Sequence, residues 1–539
     1  MRGGRVGPAL RLVAGAVLFW AVLALPDRPA ALADGTLLHL PPELPVLLLA
    51  LLAAGRVRAL RWAVVAVLML VLVQKGADLS MRTALGRSFN AAGDLPLIDA
   101  MLRLASGAVG TPLTVALVAG LLLTLAGAAL ALGWVARGWG GALASGVARR
   151  GAGLTAVLAT AGLVLDTGAA RGAWDAPDLP GRAATVHLAL DRAGTAAETL
   201  EGVRDFARIV EEDAWRGRSG LLDALDRDLL VIFVESYGRA SLDVPLYADT
   251  HRATLRAAEA RLGEAGLSTR SGWLASPTRG GRSWLAHEAF AGGLWTTDQA
   301  RYLAALSSGR ETLYHVARRS GFRTAAVMPA ITLDWPEAQT MGFDAILPAA
   351  DLGYRGKPFN WVTMPDQYTL TALDRLVRDA DAAPVVAQVA LISSHAPWTP
   401  VPEPIDWDDV GDGRAFDAMA TSGETPQTVW ADRDTTRDHY RRAVDYTLGI
   451  VADYALRHAD DPPLIVMLGD HQTAGYLALD ERADVPIHVI GPAALVDRTA
   501  ALAPTPGMIP ADDAPVTRMD GARDLLIGAL TDADAEGGA

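Results

Sequence analysis

The rhythm of apolar and polar positions changes once along the chain. Up to residue 166 it consists of long uncharged apolar runs at 12–25, 104–136 and 151–165, with two shorter ones at 44–55 and 62–73. A helix needs roughly 20 apolar residues to cross a bilayer. The shorter runs reach that length only with flanks such as 37–43, and a re-entrant or interfacial hairpin is their alternative. The pattern predicts an α-helical membrane domain of about five transmembrane helices over 1–166. Arginines at 2, 5, 56, 58, 61, 137, 149 and 150 fall on alternate sides of the runs. By the positive-inside rule the N-terminus is cytoplasmic and everything after Asp166 lies outside. The small-residue stretch 31–34 (ALAD) resembles a cleavage site, but it lies far from the first apolar run, so an uncleaved anchor is expected. The segment 75–103 reads as an outer loop, either amphipathic along the membrane surface or an ordinary loop with a short helix.

Residues 167–226 read as a helical linker, with helical spacing and a charged face through 195–215. From 227 to 539 short apolar runs alternate with helical stretches. The runs are 229–234, 323–328, 384–392, 464–468 and 485–490, and helical stretches include 312–320, 366–379 and 435–458. Continuous apolar strands between helices predict an α/β domain whose central, mostly parallel sheet is covered on both faces.

Composition narrows the chemistry. None of the 539 residues is cysteine, which excludes disulfides, zinc–thiolate sites, thiol nucleophiles and a cysteine-derived formylglycine. Residues 1–166 hold 14 Lys and Arg against 7 Asp and Glu, yet the whole chain is at −13. The remainder is therefore acidic, which argues against nucleic acid as a partner.

In open α/β sheets ligands bind beyond the carboxyl ends of the strands. Run 229–234 is followed by Glu235, run 384–392 by His395 after two serines, and run 464–468 by Gly469, Asp470 and His471. Two carboxylates and an imidazole suit one divalent ion, Mn²⁺, Mg²⁺ or Zn²⁺. Such an ion polarises a phosphoryl or sulfuryl oxygen and activates a hydroxyl. The hydroxyl candidate is Ser283, after Gly280 and Gly281 and at the start of an apolar-periodic helix. Its alternatives are a plain N-cap role for Ser283 and Thr278 as nucleophile. Arg279 and Arg282 flank the turn and could bind an anion. His287 falls one helical turn after Ser283, either toward the site or into packing. His488, inside a strand, reads as a core histidine, and Trp398 as a pocket wall or packing.

The motifs VIFVESYGR, GGRSWLAH, LISSHAPW, MLGDHQ and DVPIHVIGP stand in one order along residues 228–535. In that order they resemble the sulfatase-like branch of the alkaline phosphatase superfamily, in its membrane-anchored lipoteichoic acid synthase and phosphoglycerol transferase type. The resemblance implies a metal set of Glu235, Ser283, Asp470 and His471, with Ser283 as nucleophile where relatives commonly use Thr. It implies a contact from His395 to the transferred headgroup or leaving group, and a substrate-binding role for Trp335. Glu337 stands where the lipoteichoic acid enzymes have Arg, a departure that puts glycerol phosphate in doubt as the group moved. Ala275 stands where sulfatases carry the formylglycine precursor, so sulfuryl hydrolysis by that route is not expected.

The expected protein is a multi-pass cell-membrane enzyme with an extracytoplasmic catalytic domain. It acts on phosphodiesters of membrane lipid or envelope glycan, through a Ser nucleophile and a covalent phospho-enzyme. The alternatives are a hydrolase of soluble phosphate or sulfate esters and a non-catalytic lipid-binding regulator.

Overall fold

The computed structural model describes residues 8–28 and 41–532, apart from 86–87, 96–97, 99–100, 103–105, 107–109, 144, 171–183, 333–334 and 381–382. Arg2, Arg5 and the stretch 31–34 therefore lie outside the described residues. The chain forms two compact units, Met1–Gly202 and Val203–Ala539.

In the first unit, three described helices are long and apolar enough to cross a membrane: Arg58–Thr83, Thr111–Gly141 and Gly146–Ala169. Two shorter apolar helices cover Leu10–Ala24 and Glu43–Ala54. The run expected at 62–73 is longer than its apolar core. Its helix continues to Leu85, through residues read from sequence as the start of an outer loop. The polar side chains of that extension find partners, which removes the cost of placing them in a helix bundle. Asp78 is fully buried and pairs with Arg192 at 2.9 Å, while Lys75 donates to the Leu23 carbonyl at 2.6 Å. Gly140 packs against Gly55 so closely that a Cβ there would meet the Gly55 oxygen at 2.4 Å. Small residues at such crossings let helix backbones touch.

The second unit is built on a nine-stranded sheet in the order β4-β3-β5-β1-β6-β7-β2-β8, with β9 beside β2. The strands are β1 Leu229–Val234, β2 Ser268–Ala275, β3 Arg323–Met328, β4 Ala345–Pro348, β5 Val385–Leu391, β6 Leu464–Gly469, β7 Asp484–Gly491, β8 Thr505–Pro506 and β9 Val516–Arg518. From β4 to β6 all neighbours are parallel. β7 then turns antiparallel to both β6 and β2. The central strand β1 is buried at every position, so it needs no polar alternation. Leu230, Ile232 and Val234 face a core shared with helices Pro245–Glu264 and Arg433–Arg457. Leu229, Val231 and Phe233 face helices Ser283–Gly292 and Ala522–Ala529.

Register sets the working edge. Val234 is level with Leu391 of β5 and with Gly469 of β6. The three strands therefore end together, and the residues just after them share one rim. Gly469 is required there, because a Cβ would sit 1.8 Å from the Tyr237 carbonyl oxygen.

Behind helix Ser283–Gly292 lies a buried ionic cluster. Arg523, wholly buried, donates to Asp213 at 2.8 Å and to the carbonyls of Gly292 and Glu311. Glu288 on the same helix is buried, one carboxylate oxygen has no partner, and burial pushes its carboxyl up to about 8 against the pull of Arg523 and Arg310.

Two measurements check this core. Gly469→Ala should lower the stability of the full chain in detergent by roughly 1–3 kcal/mol or more, through forced overlap. Gly263→Ala, whose Cβ would meet nothing within 4 Å, should leave the melting temperature unchanged or slightly raised. Equal effects of the two would refute the close approach at Gly469.

The carboxyl of Glu288 is raised above its ordinary 4.5, so its contribution favours the folded chain fully below that value and is lost as pH rises through about 8. Across that window the loss approaches about 1.4 kcal/mol per pH unit. Glu288→Gln should flatten the fall of melting temperature between pH 6 and 9. Parallel curves for variant and wild type would show that Glu288 does not titrate there.

Candidate active site

The rim above β5, β1 and β6 gathers Glu235, Asp470 and His471, whose ligand-capable atoms all lie within 4.8 Å of one another. His471 Nε2 is 3.2 Å from Glu235 Oε1 and 3.8 Å from Asp470 Oδ2. Asp470 and His471 are about 1% exposed, so bulk solvent screens their charges little.

The backbone is shaped to hold these groups. Ser236 adopts φ 60°, and its N–H donates to Asp470 Oδ1 at 2.8 Å. The His471 N–H donates to the same oxygen at 2.6 Å. Ser276 Oγ donates to the Asp470 carbonyl at 2.7 Å, and Ser394 Oγ to the Glu235 carbonyl at 2.7 Å. Tyr440, on helix Arg433–Arg457, donates to the Ser236 carbonyl at 2.8 Å.

The charges explain one another. Burial alone would raise the Glu235 carboxyl, but the nearby His471 imidazolium, with help from His395, holds it well below the usual range. Burial and the Glu235 charge push Asp470 up to about 8. His471 is raised to about 9: burial opposes its charge, but the two carboxylates prevail. Protons thus do the work of a cation between two carboxylates.

These residues fit a divalent ion. His471 Nδ1 lies 3.0 Å from the Gln472 carbonyl, which orients the ring and leaves Nε2 toward the carboxylates. That Nε2 is buried and makes no well-directed hydrogen bond. A nitrogen aimed at two carboxylate oxygens without a proper donor–acceptor geometry matches a ligand set.

Ser283 is brought to the cluster. Its Oγ donates to Glu235 Oε2 at 3.0 Å, and it begins helix Ser283–Gly292 after Arg282 in a left-handed conformation at φ 68°. Thr278 is buried and donates to the Gly281 carbonyl at 2.7 Å, so it braces the turn. Arg279 donates to the Asp480 carbonyl and Arg282 to the Thr297 carbonyl. His395 is exposed, with Nδ1 at 2.6 Å from its neighbour's carbonyl. Trp398 is buried, and its indole N–H donates to the Ser394 carbonyl at 2.8 Å, holding the His395 loop. Trp335 lines a separate pocket of about 590 Å³ with Ile331, Thr332, Gln339 and Asp351. Ala275 ends β2, level with Asp484.

His287 lies against Phe233, ring centroids 4.1 Å apart and tilted by 42°; its Nε2 is buried without a partner, and burial lowers the imidazole to about 4. His488 is in the core, 3.1 Å from the Tyr237 hydroxyl.

Several positioning residues had no signal in the motifs. Asp366 is buried and accepts from the N–H groups of Ile392 and Ser393 and from Thr447, so it sets the loop that carries His395. Asp366 and Tyr440 approach this rim from helices remote in sequence. Only a pattern of polar residues on otherwise apolar helix faces could have flagged them.

Residues 227–484 match the family model Sulfatase. No curated protein matches the chain. Among solved structures, the lipoteichoic acid synthase LtaP from Listeria monocytogenes is similar at 14% identity, over 61% of this chain and 78% of that one, with a TM-score of 0.37. The C-terminal periplasmic domain of phosphoethanolamine transferase EptC from Campylobacter jejuni is similar at 11%, over 59% and 96%, with a TM-score of 0.36. The Streptococcus pyogenes phosphoglycerol transferase GacH is similar at 14%, over 55% and 74%, with a TM-score of 0.31. Over residues 227–484 the chain is therefore similar to the Sulfatase family.

Metal content tests the ligand set. Asp470→Asn in the full chain should weaken Mn²⁺ binding by at least ten-fold, read by elemental analysis after dialysis against graded free metal. Because the ion must displace protons from Asp470 and His471, apparent affinity should fall as pH is lowered from 9 to 6. Unchanged binding in the variant, or binding indifferent to pH, would remove the metal assignment.

Proposed function

We propose that this protein is a membrane-anchored, metal-dependent enzyme that transfers or hydrolyses the phosphoryl-bearing group of a membrane-derived phosphodiester. The observation that carries this reading is the Ser283 hydroxyl, 3.0 Å from a carboxylate of the three-residue ligand cluster. Glu235, Asp470 and His471 would hold one divalent ion, Mn²⁺ with Mg²⁺ or Zn²⁺ as alternatives, with Ser283 beside them. The ion would lower the pKa of the serine hydroxyl and draw charge from a phosphoryl oxygen.

The chain's own groups supply the rest. Glu235 Oε2 orients the Ser283 O–H, so that the oxygen lone pair faces the incoming phosphorus. The N-terminal end of helix Ser283–Gly292 favours the negative charge of the substrate. Ser283 Oγ gives up its proton to solvent and forms a bond to phosphorus as the bond to the leaving oxygen breaks. His395, exposed beside the cluster, gives that oxygen a proton. An acceptor hydroxyl then displaces Ser283 and regenerates it. Arg279 and Arg282 flank the turn before Ser283, and Trp335 and Trp398 complete the proposed substrate-binding set.

Three apolar helices in the first unit support embedding in the cell membrane. The alternation of arginines supports five passes, a cytoplasmic N-terminus and an extracytoplasmic catalytic domain. The proposed boundaries are 1–166, 167–226 and 227–539. Glu337 in place of Arg argues for a transferred group other than glycerol phosphate.

The test uses full-length protein in detergent with Mn²⁺ and a lipid extract of the host. Diacylglycerol should appear, and mass spectrometry should find a phosphoryl-bearing adduct on Ser283. Ser283→Ala should abolish both. Metal bound with neither product nor adduct would point to soluble esters, and no bound metal to a non-catalytic regulator.

A further inference from the structure

Most large aromatic side chains of the second unit are buried, but Trp361 and Trp430 are 49% and 44% exposed and touch each other. Their ring centroids are 5.8 Å apart at 66°. Their exposure is built into the backbone. Phe359 and Val362 exchange both backbone hydrogen bonds, at 2.8 and 3.1 Å, so Asn360 and Trp361 form the tip of a two-residue hairpin. Asn360 takes the left-handed conformation such a turn needs, at φ 58°. Phe359 and Val362 are buried and pin the base. Trp430 follows the fully buried Val429 on helix Pro426–Ala431, which Thr425 caps.

Both supports hang on the loop that carries His395. The Asn360 amide donates to the Thr399 carbonyl, and Thr399 Oγ1 donates to the Glu424 carbonyl at 2.8 Å. His439 joins the same frame, 3.0 Å from the Trp398 carbonyl and 3.4 Å from the Glu424 carboxylate. Trp398 in turn is tied to Ser394, and Ser394 to the backbone of Glu235. Hydrogen bonds thus link the backbone of Glu235, through the loop that carries His395, to Asn360 beside Trp361 and to Glu424 just before the helix of Trp430.

The stretch that carries Trp430 is acidic. Between residues 401 and 439 stand ten acidic residues and three arginines. Such a field repels the anionic surface of a membrane. Two indole faces with exposed carboxylates such as Glu424 suit a neutral polyol ring. Its weakly positive C–H face meets the negative face of the indole, and its hydroxyls donate to carboxylates.

We propose that Trp361 and Trp430 form a saccharide-binding platform beside the active site, placing a neutral glycan as the acceptor. This rests on the phosphodiester reading above and names its acceptor class. The glycan hydroxyl would displace Ser283 from phosphorus, its oxygen forming the new P–O bond as the bond to Ser283 Oγ breaks and its proton passing to Ser283 Oγ.

The test is saccharide binding by the full chain in a polyoxyethylene detergent, which has no sugar head. The probes are neutral linear hexasaccharides of glucose, galactose, mannose and N-acetylglucosamine, followed by calorimetry with no donor present. At least one should bind. Trp361→Ala and Trp430→Ala should each weaken binding at least ten-fold, while Trp361→Phe retains most of it. Melting temperature and Mn²⁺ content of the variants should match the unaltered chain.

Because no donor is used, Ser283→Ala should bind the saccharide normally. Loss of the phosphodiester reading alone would show as bound saccharide here with no adduct on Ser283 in the separate assay with host lipid extract and Mn²⁺. Failure of every saccharide to bind, or binding indifferent to both tryptophans, would overturn the platform. So would quenching by brominated phosphatidylcholine in nanodiscs that disappears in both alanine variants, since that places the pair in lipid.

Discussion

Two carboxylates held together in a dry pocket are the constraint on which the catalytic unit turns. Glu235 and Asp470 follow adjacent parallel strands that end level, so neither can retreat from the other without breaking the register of β1 and β6. Like charges so placed cannot both remain ionised unless a cation lies between them. In the chain alone, His471 and a proton on Asp470 provide that balance, with Glu235 left ionised. A divalent ion would supply the charge more compactly and free the imidazole to act as ligand.

That arrangement accounts for backbone features that would otherwise be costly. Ser236 holds a positive φ, a conformation non-glycine residues rarely take, and its N–H is thereby turned onto Asp470. Gly469 lets the Tyr237 carbonyl pass against the end of β6. Gly238 does the same for Gln472, whose side-chain oxygen would lie 1.9 Å from a Cβ. The loops after β1 and β6 are thus fitted to each other before any substrate is present. Preorganisation of this kind removes the reorganisation that a reacting group would otherwise demand.

The central strands were legible because burial on both faces leaves an uninterrupted apolar run, as in 229–234 and 464–468. β2 was not, since Arg270, Ser271 and Gly272 break its apolar character: Arg270 donates to the carbonyls of Ala503 and Pro504 instead of facing solvent. The direction of β7 was also hidden, because a buried strand reads the same whichever way its neighbours run. The proximity of Glu235, Asp470 and His471 could be reasoned from strand ends alone. The sequence favours Ser283 over Thr278 because Ser283 opens an apolar-periodic helix. Their hydrogen bonds, one to Gly281 and the other to Glu235, distinguish them. Trp398 was open between packing and a pocket wall, and its buried indole N–H on Ser394 gives it a part in holding the loop.

Rigidity and variability are divided in space. The groups proposed for the chemistry stand within a residue or two of sheet strands or, for Ser283, at the start of a buried helix. The loop groups, His395 proposed as proton donor and Trp361 and Trp430 proposed to select the substrate, project from loops and a short helix above that rim. Loops tolerate change that strands in a packed sheet do not. A domain built this way can keep one chemical centre while its rim is altered. The strong acidity of 401–439 then has a physical consequence. It disfavours contact of that stretch with an anionic surface.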